Sequence, residues 1–130
     1  RHGAGRVKLR GRGARGQATV EFALVLPLVL GLALFIVQVG LVVRDQIMVV
    51  NAAREGARTA AVQPLLAEAR QSAIDSGALD PQRTTVLMSQ GSATVTVTVS
   101  YQSTTTVPII GTLVGDITMS ESTTMRSESR

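Results

Sequence analysis

One carboxylate and one glycine junction are placed to do chemistry, and both lie at the start of a long apolar run. Glu21 is the only charged residue between Gly16 and Val43. An acid that faces lipid is costly, by roughly 2.5–3.5 kcal/mol at the centre of a bilayer and less near the interface. A positive partner in a low-dielectric setting would offset that cost. We therefore expect Glu21 to pair with a positive charge; an interfacial acid that simply reaches the lipid headgroups is the plainer interpretation.

Gly16 stands where a basic leader meets the apolar run. The first 15 residues carry six Lys or Arg and no acid, and residues 1–16 include five glycines. Such a segment is flexible and solvated, and an extended glycine junction can enter a protease cleft, which a helix cannot do. A cut after Gly16 would make Gln17 the N-terminus and Glu21 the fifth mature residue. The carboxylate would then lie about one helical turn from a free ammonium group, where an acid also favours the helix dipole.

Catalysis by the chain itself is not indicated. The sequence has no cysteine, and its single histidine is His2, in the leader. The many Ser and Thr hydroxyls therefore have no imidazole or lysine base outside the leader to activate them. The acids are scattered, and the sequence shows neither metal-ligand spacing nor a glycine-rich phosphate-binding pattern. We expect no enzymatic activity, no cofactor and no metal.

The element that must position these features is an uncharged run of 21 residues, Ala23 to Val43. A helix of that length is roughly 32 Å long, about the thickness of a bilayer's hydrocarbon core. A secretory signal peptide is the rival interpretation. Its apolar region is about 7–15 residues long and leads to an A-x-A-like cleavage site, which does not follow here. We therefore expect residues 23–43 to be a retained membrane span.

Charge is divided unevenly along the chain. The leader carries +6 with His2 neutral, whereas residues 16–130 carry seven arginines against nine acids. Basic flanks of a span stay in the cytoplasm, which predicts a single pass with the N-terminus inside and the C-terminal part outside. A nucleic-acid-binding arm would also be basic. Because a span begins a few residues later, we expect the lipid bilayer and no nucleic acid as a partner.

The helical pattern continues beyond the span without a breaker as far as Gln63-Pro64, which predicts one rod over residues 17–62. Pro27 lacks a backbone donor and crowds the carbonyl four residues earlier, so we expect a kinked or loosened helix there. Small residues at positions 52, 53, 56, 57, 60 and 61 should allow another element to approach closely. A packed stripe is also predicted at helical spacing, formed by Val43, Ile47, Val50, Ala57 and Ala61.

A group of polar residues follows the other side of the rod at spacings of three and four. Its members are Asn51, Arg54, Glu55 and Arg58. Glu55 can pair with Arg58 for a few tenths of a kcal/mol. Taken alone, the group is equally well explained as a solvated helix face.

Two segments resemble TadE-like proteins of the Tad, or Flp, branch of the type IV pilin family. The stretch Gly16-Gln17-Ala18-Thr19-Val20-Glu21-Phe22 is similar to a prepilin-peptidase recognition sequence, in which the cut follows the glycine and glutamate is the fifth mature residue. An aromatic such as Phe22 after the glutamate is typical of the Tad branch, whereas Gln17 departs from the residues commonest at the first mature position in some branches. The stretch Asn51–Arg58, with its Ala-Ala-Arg-Glu-Gly-Ala-Arg core, is similar to a second motif of TadE-like proteins.

The resemblance covers Gly16 to about Ala61 and implies a minor pilin, or pseudopilin, of a Tad-type pilus and secretion system, with a role in assembly or adhesion. It implies a leader at 1–16 that a prepilin peptidase removes, with partners among other pilin subunits and Tad inner-membrane assembly proteins. The location it implies is the bacterial cytoplasmic membrane or a surface pilus. The major subunit of such pili is a shorter, mostly helical chain. Two alternatives stay open: a membrane scaffold that never enters a filament, and a signal-anchored domain that binds an external ligand.

The resemblance also assigns roles to residues. Gly16 and Gln17 would form the cleavage site, and Glu21 and Phe22 would serve recognition and assembly. The second motif would comprise Asn51, Arg54, Glu55, Gly56 and Arg58.

Residues 63–130 are expected to form a small extracytoplasmic α+β domain. Pro64 suits the first turn of a second helix that Gly77 can end. Strands are predicted at 84–89, from 94 to 101 and at 117–125, and the second of these alternates valine with hydroxyl residues. The apolar side of the second helix is predicted to comprise Leu65, Leu66, Ala69, Ala73 and Ile74.

A small sheet needs cover on its apolar face. The expected fold class is therefore α+β, with a long membrane-spanning helix followed by a short helix and a small antiparallel sheet packed on the rod. The hydroxyl-rich face suits solvent or an adhesive contact.

Overall fold

The computed structural model describes residues 13–107 and 110–128. The helices are α1 (Gly13–Val62), α2 (Leu66–Gly77) and α3 (Ile110–Val114), and the strands are β1 (Thr84–Gln90), β2 (Thr94–Ser103) and β3 (Ile117–Arg126). The strands form one antiparallel sheet in the order β1-β2-β3. The expected fold class is therefore confirmed, whereas most of the predicted leader, residues 1–12, lies outside the described residues.

α1 is a single helix of 50 residues and begins four residues earlier than the predicted rod. Its length is about 75 Å. Gly16 lies within the helix, so the extended junction expected there is not observed in the uncut chain. Pro27 also lies inside the helix, which continues on both sides of it. A kink at Pro27 stays a prediction.

The outer half of α1 carries the domain on a face built from small side chains. The fully buried residues of that face are Val49, Ala52, Ala53, Ala57 and Ala60. A Cβ at Gly56 would lie 3.1 Å from the Ala73 Cβ and 3.2 Å from the Val97 Cγ1, so α2 and the sheet both approach closely there. The close approach predicted from the alanines and Gly56 is confirmed.

The predicted stripe of larger residues on α1 is partly wrong. Ala57 and Ala61 are buried and Val50 is half-buried, but Val43 and Ile47 are 52% and 57% exposed. The reason is that α2 and the sheet cover the alanine-rich face, which excludes Val43 and Ile47.

α2 ends at Gly77 as predicted, but its first apolar residues and its C-cap differ from the prediction. Ala69, Ala73 and Ile74 are buried as expected, but Leu65 and Leu66 are 56% and 46% exposed because they follow the turn at the tip of α1. The left-handed residue that ends the helix is Ala78, at φ 49° and ψ 40°, and not Gly77. Gly77 is needed for packing instead, since a Cβ there would lie 2.9 Å from the Met48 carbonyl oxygen and from the Ala52 Cβ.

The sheet separates its two faces as the alternation in β2 predicts. Val95, Val97 and Val99 are buried against the helices. The opposite face carries hydroxyls that share hydrogen bonds across β2 and β3, in the pairs Thr96–Thr124, Thr98–Ser122 and Ser100–Ser120. Pairing of opposite hydroxyls stabilises the register between the two strands.

Two polar contacts fasten the lower end of the sheet to α1. Ser103 Oγ donates a hydrogen bond to Asp45 Oδ2 at 2.5 Å. Burial and the nearby Asp45 carboxylate raise the pKa of the Tyr101 hydroxyl. Further down α1, Gln38 is buried and its Nε2 donates to Thr105 Oγ1 at 3.5 Å, a long hydrogen bond. The domain therefore covers α1 down to Gln38, which lies inside the predicted span 23–43.

Candidate functional site

The predicted processing residues lie on the bare end of α1, outside the domain. Gly16, Gln17 and Glu21 line one face of the helix together with Val20 and Leu24. A Cβ at Gly16 would meet nothing within 4 Å, and the Glu21 side chain is exposed. The rest of the described chain therefore leaves this face of α1 uncovered.

No cation of the rod lies close to the Glu21 carboxylate. Towards the outer end of α1 the next basic residue after Glu21 is Arg44, about 35 Å further along the axis, and in the other direction Arg15, in the first turn of α1, precedes Glu21 by six residues, about 9 Å. Among the side chains described at 16–107 and 111–128, none forms an ion pair with Glu21. After a cut behind Gly16, the amine of Gln17 would lie about 6 Å from Glu21 along the axis. A positive partner must therefore come from such a new N-terminus, the leader or a second molecule.

The helix around Glu21 is apolar on all sides. Between positions 20 and 37 its large apolar residues are 47–75% exposed, except for the half-buried Leu34: Val20, Phe22, Leu24, Val25, Leu26, Leu28, Val29, Leu30, Leu32, Phe35, Ile36 and Val37. Within the part of the chain that the structure describes, α1 is the one helix long and apolar enough to cross a membrane. An all-round apolar helix needs lipid or other helices around it.

The second predicted motif divides between two faces of α1. Asn51, Arg54 and Arg58 are exposed, and Arg58 Nη1 lies 3.8 Å from Glu55 Oε2 in an exposed ion pair. Such a pair contributes about 0–1 kcal/mol. Gly56 faces the other way and is buried against α2. The motif therefore combines an exposed polar patch with a packing position, and the structure does not bring Gly56 together with the polar members.

Sequence reasoning missed the contacts that fasten the domain to the span. Gln38 is the one strongly polar residue of the apolar run Ala23 to Val43, and its Oε1 is buried without a hydrogen-bond partner. Its partner Thr105 is 67 residues away, a separation that no local pattern reports. In the described residues, no group of three or more His, Asp or Glu is placed to hold a metal ion.

The comparison with family models gives one match. Residues 16–58 match the model of TadE-like proteins. No curated protein and no solved structure matches the chain. The matched segment includes the glycine junction, the apolar run and the second motif, and it ends before α2. The resemblance expected from the sequence is confirmed over this segment. From Gly16 to Arg58, along most of α1, the chain is similar to TadE-like proteins.

Proposed function

We propose that the chain is a minor pilin, or pseudopilin, of a Tad-type pilus and secretion system, and that a prepilin peptidase removes its leader after Gly16. The observation that carries the proposal is the bare apolar end of α1 with its single acid, Glu21, in a segment that matches TadE-like proteins. The peptidase supplies the catalytic residues, and this chain is the substrate.

The position of Gly16 in a helix is compatible with cleavage. α1 begins at Gly13, so Gly16 lies in its first turn, where backbone N–H groups lack intrahelical partners. Glycine in a helix is less favourable than alanine by roughly 0.5–1 kcal/mol. Local unwinding at this end is therefore inexpensive and leaves the rest of α1 intact. The side-chain-free Gly16 then lets the peptidase approach the peptide bond closely.

Assembly follows from what cleavage leaves behind. The exposed apolar residues of α1 pack against the corresponding helices of other subunits, while Glu21 pairs with the new ammonium group of a neighbouring chain. Pairing removes the cost of a carboxylate left alone in an apolar environment. Glu21 thus favours one axial offset between neighbouring helices, the offset that brings its carboxylate next to the new ammonium group.

The domain built from α2 and the sheet supports a minor role. It lies at the outer end of the rod, beyond the segment that the family model matches. A subunit that carries such a domain, in addition to the helix, suits an initiating or tip position in the pilus. The hydroxyl-rich face of the sheet would then be outermost. The alternative is a scaffold that shares the same anchor but stays in the membrane.

The test is the mass and N-terminal sequence of the protein extracted from membranes of cells that assemble Tad pili. We expect the chain to begin at Gln17. Gly16→Ala should retain the leader in most molecules, whereas the matched control Gly31→Ala, also with open space around it, should be processed normally. An intact leader on the unaltered chain in cells with working pili would contradict the proposal. Sheared fibres probed for the sheet domain then separate a filament subunit from a membrane scaffold.

A further inference from the structure

We propose that Leu113 and Val114, at the end of α3, insert into the outer interface of the phospholipid bilayer beside α1 and form a second membrane contact. Their side chains are 80% and 53% exposed, and no other exposed large apolar side chain in the described residues is as open as Leu113. A single exposed leucine is ordinary on a protein surface. Its place next to the span is what requires an explanation.

A chain of polar contacts ties the end of α3 to the apolar run of α1. Thr105 Oγ1 donates to the carbonyl oxygen of Gly115, the residue after Val114, at 2.6 Å. The same oxygen accepts the hydrogen bond from Gln38 Nε2. Gln38 lies five residues before Val43, the last residue of the uncharged run. The end of α3 is therefore held about 7–8 Å inside the stretch predicted to cross the bilayer.

The surface next to this contact on α1 is apolar and open. Val37 and Val39, on either side of Gln38, are 55% and 45% exposed. Leu113 and Val114 thus continue an apolar surface that an inserted α1 presents to lipid. This continuity identifies the bilayer as the occupant, because lipid that surrounds α1 at the depth of Gln38 also reaches the end of α3.

The segment that contains α3 is uncharged, which favours a position at the membrane interface. Residues 102–115 contain no charged side chain, and Asp116 is the first to follow them. The Gly111 N–H donates to the Val107 carbonyl oxygen at 3.0 Å, and the Gly115 N–H to the Gly111 carbonyl oxygen at 3.1 Å. These two hydrogen bonds satisfy the N–H groups of Gly111 and Gly115, which lowers the cost of placing them close to hydrocarbon.

This contact sets the depth of α1 in the bilayer. With the end of α3 at the outer interface, the hydrocarbon core ends near Gln38 and not near Val43. About 20 residues cross a bilayer core, so its inner edge lies near residue 18. Glu21 is then inside the hydrocarbon by about one helical turn and not at its rim. Cleavage of the leader is not needed for this arrangement.

The absence of cysteine from the chain permits a direct test with single labelled positions. The full chain with Leu113→Cys carries an environment-sensitive fluorophore and is reconstituted into phosphatidylcholine–phosphatidylglycerol vesicles. Leu87→Cys, 61% exposed on the sheet, is the water-facing control, and Leu28→Cys, 75% exposed on α1, is the lipid-facing control. We expect lipids with a shallow nitroxide to quench the Leu113 probe several-fold more than the Leu87 probe, and aqueous iodide to quench it several-fold less.

Each other outcome overturns the inference in a distinguishable way. A Leu113 probe as open to iodide as the Leu87 probe, with the Leu28 probe in lipid, places α3 in water and leaves the span intact. A Leu113 probe shielded from both quenchers shows that protein, such as a second copy, covers it. A Leu28 probe open to iodide removes the span and this contact together. The uncut chain is used throughout, so failure of peptidase processing does not affect the result.

Discussion

At the scale of single residues, Glu21 is the one acid on the apolar end of α1. It is exposed on an apolar helix, and the helix offers no cation within about 35 Å on its outer side. An acid in such surroundings either stays near water, becomes neutral or gains a positive partner. The proposed pairing with a processed N-terminus uses the third route and makes the charge of Glu21 necessary for assembly but not for peptide-bond cleavage.

Removal of this charge should therefore separate processing from assembly. In Glu21→Gln we expect most of the protein to be cleaved normally, while its amount in sheared fibres falls about tenfold or more, since 1.4 kcal/mol of lost pairing is already a factor of ten. The measurements are the processed fraction by mass and the fibre content by immunoblot. Glu55→Gln, which removes the exposed ion pair outside the span, is the control. Normal fibres with lost cleavage would contradict the assigned role.

The end of α2 shows how one element depends on another. Gly77 lies against the backbone of α1, whereas Ala78 adopts the left-handed conformation that glycine adopts more easily. Helix propensity alone would favour alanine at position 77. The packing against α1 disfavours alanine there, because its Cβ would press on the Met48 carbonyl oxygen. A backbone atom cannot move aside as the tip of a flexible side chain can.

Substitutions at these two positions should have opposite effects on stability. We expect Gly77→Ala to lower the free energy of unfolding by about 1–3 kcal/mol through overpacking. Ala78→Gly should raise it by about 1 kcal/mol, because glycine removes the left-handed strain. Urea unfolding in detergent, followed by the fluorescence of Tyr101, the single tyrosine, measures both.

A glycine with open surroundings provides the control for this pair. A Cβ at Gly40 meets nothing within 4 Å, so Gly40→Ala should leave unfolding of the domain unchanged. Equal stability of Gly77→Ala and Gly40→Ala would show that α2 does not press on α1 as closely as the structure indicates.

At the scale of the whole molecule, the distribution of charge predicts the orientation in the membrane. The leader is strongly basic and the rest of the chain is slightly acidic. We expect Leu87→Cys to react with a membrane-impermeant maleimide added to intact spheroplasts, since basic flanks stay on the cytoplasmic side. His2→Cys in the uncut Gly16→Ala background should react only after permeabilisation. The reverse labelling pattern would show that the domain faces the cytoplasm.

Local patterns in the sequence were sufficient to predict α1, α2 and the three strands, but not α3. An uncharged run long enough for a bilayer, small residues at helical spacing on α1 and strict alternation in β2 each predicted an element that the structure contains. The junction and the second motif could be recognised for the same reason, since each is a short contiguous stretch. The predicted element bounds were close except at the start of α1, where helix replaces the expected extended junction.

Only the tertiary structure decided which surfaces of these elements meet. Periodicity placed Val43 and Ile47 on a packed stripe, yet the domain covers the alanine-rich face and leaves both exposed. The depth to which the domain reaches along α1 depends on Gln38 and Thr105, which are 67 residues apart. The spacing of apolar residues along an element shows that one of its faces is apolar. Which element packs on that face depends on close contacts between segments that are distant in the sequence.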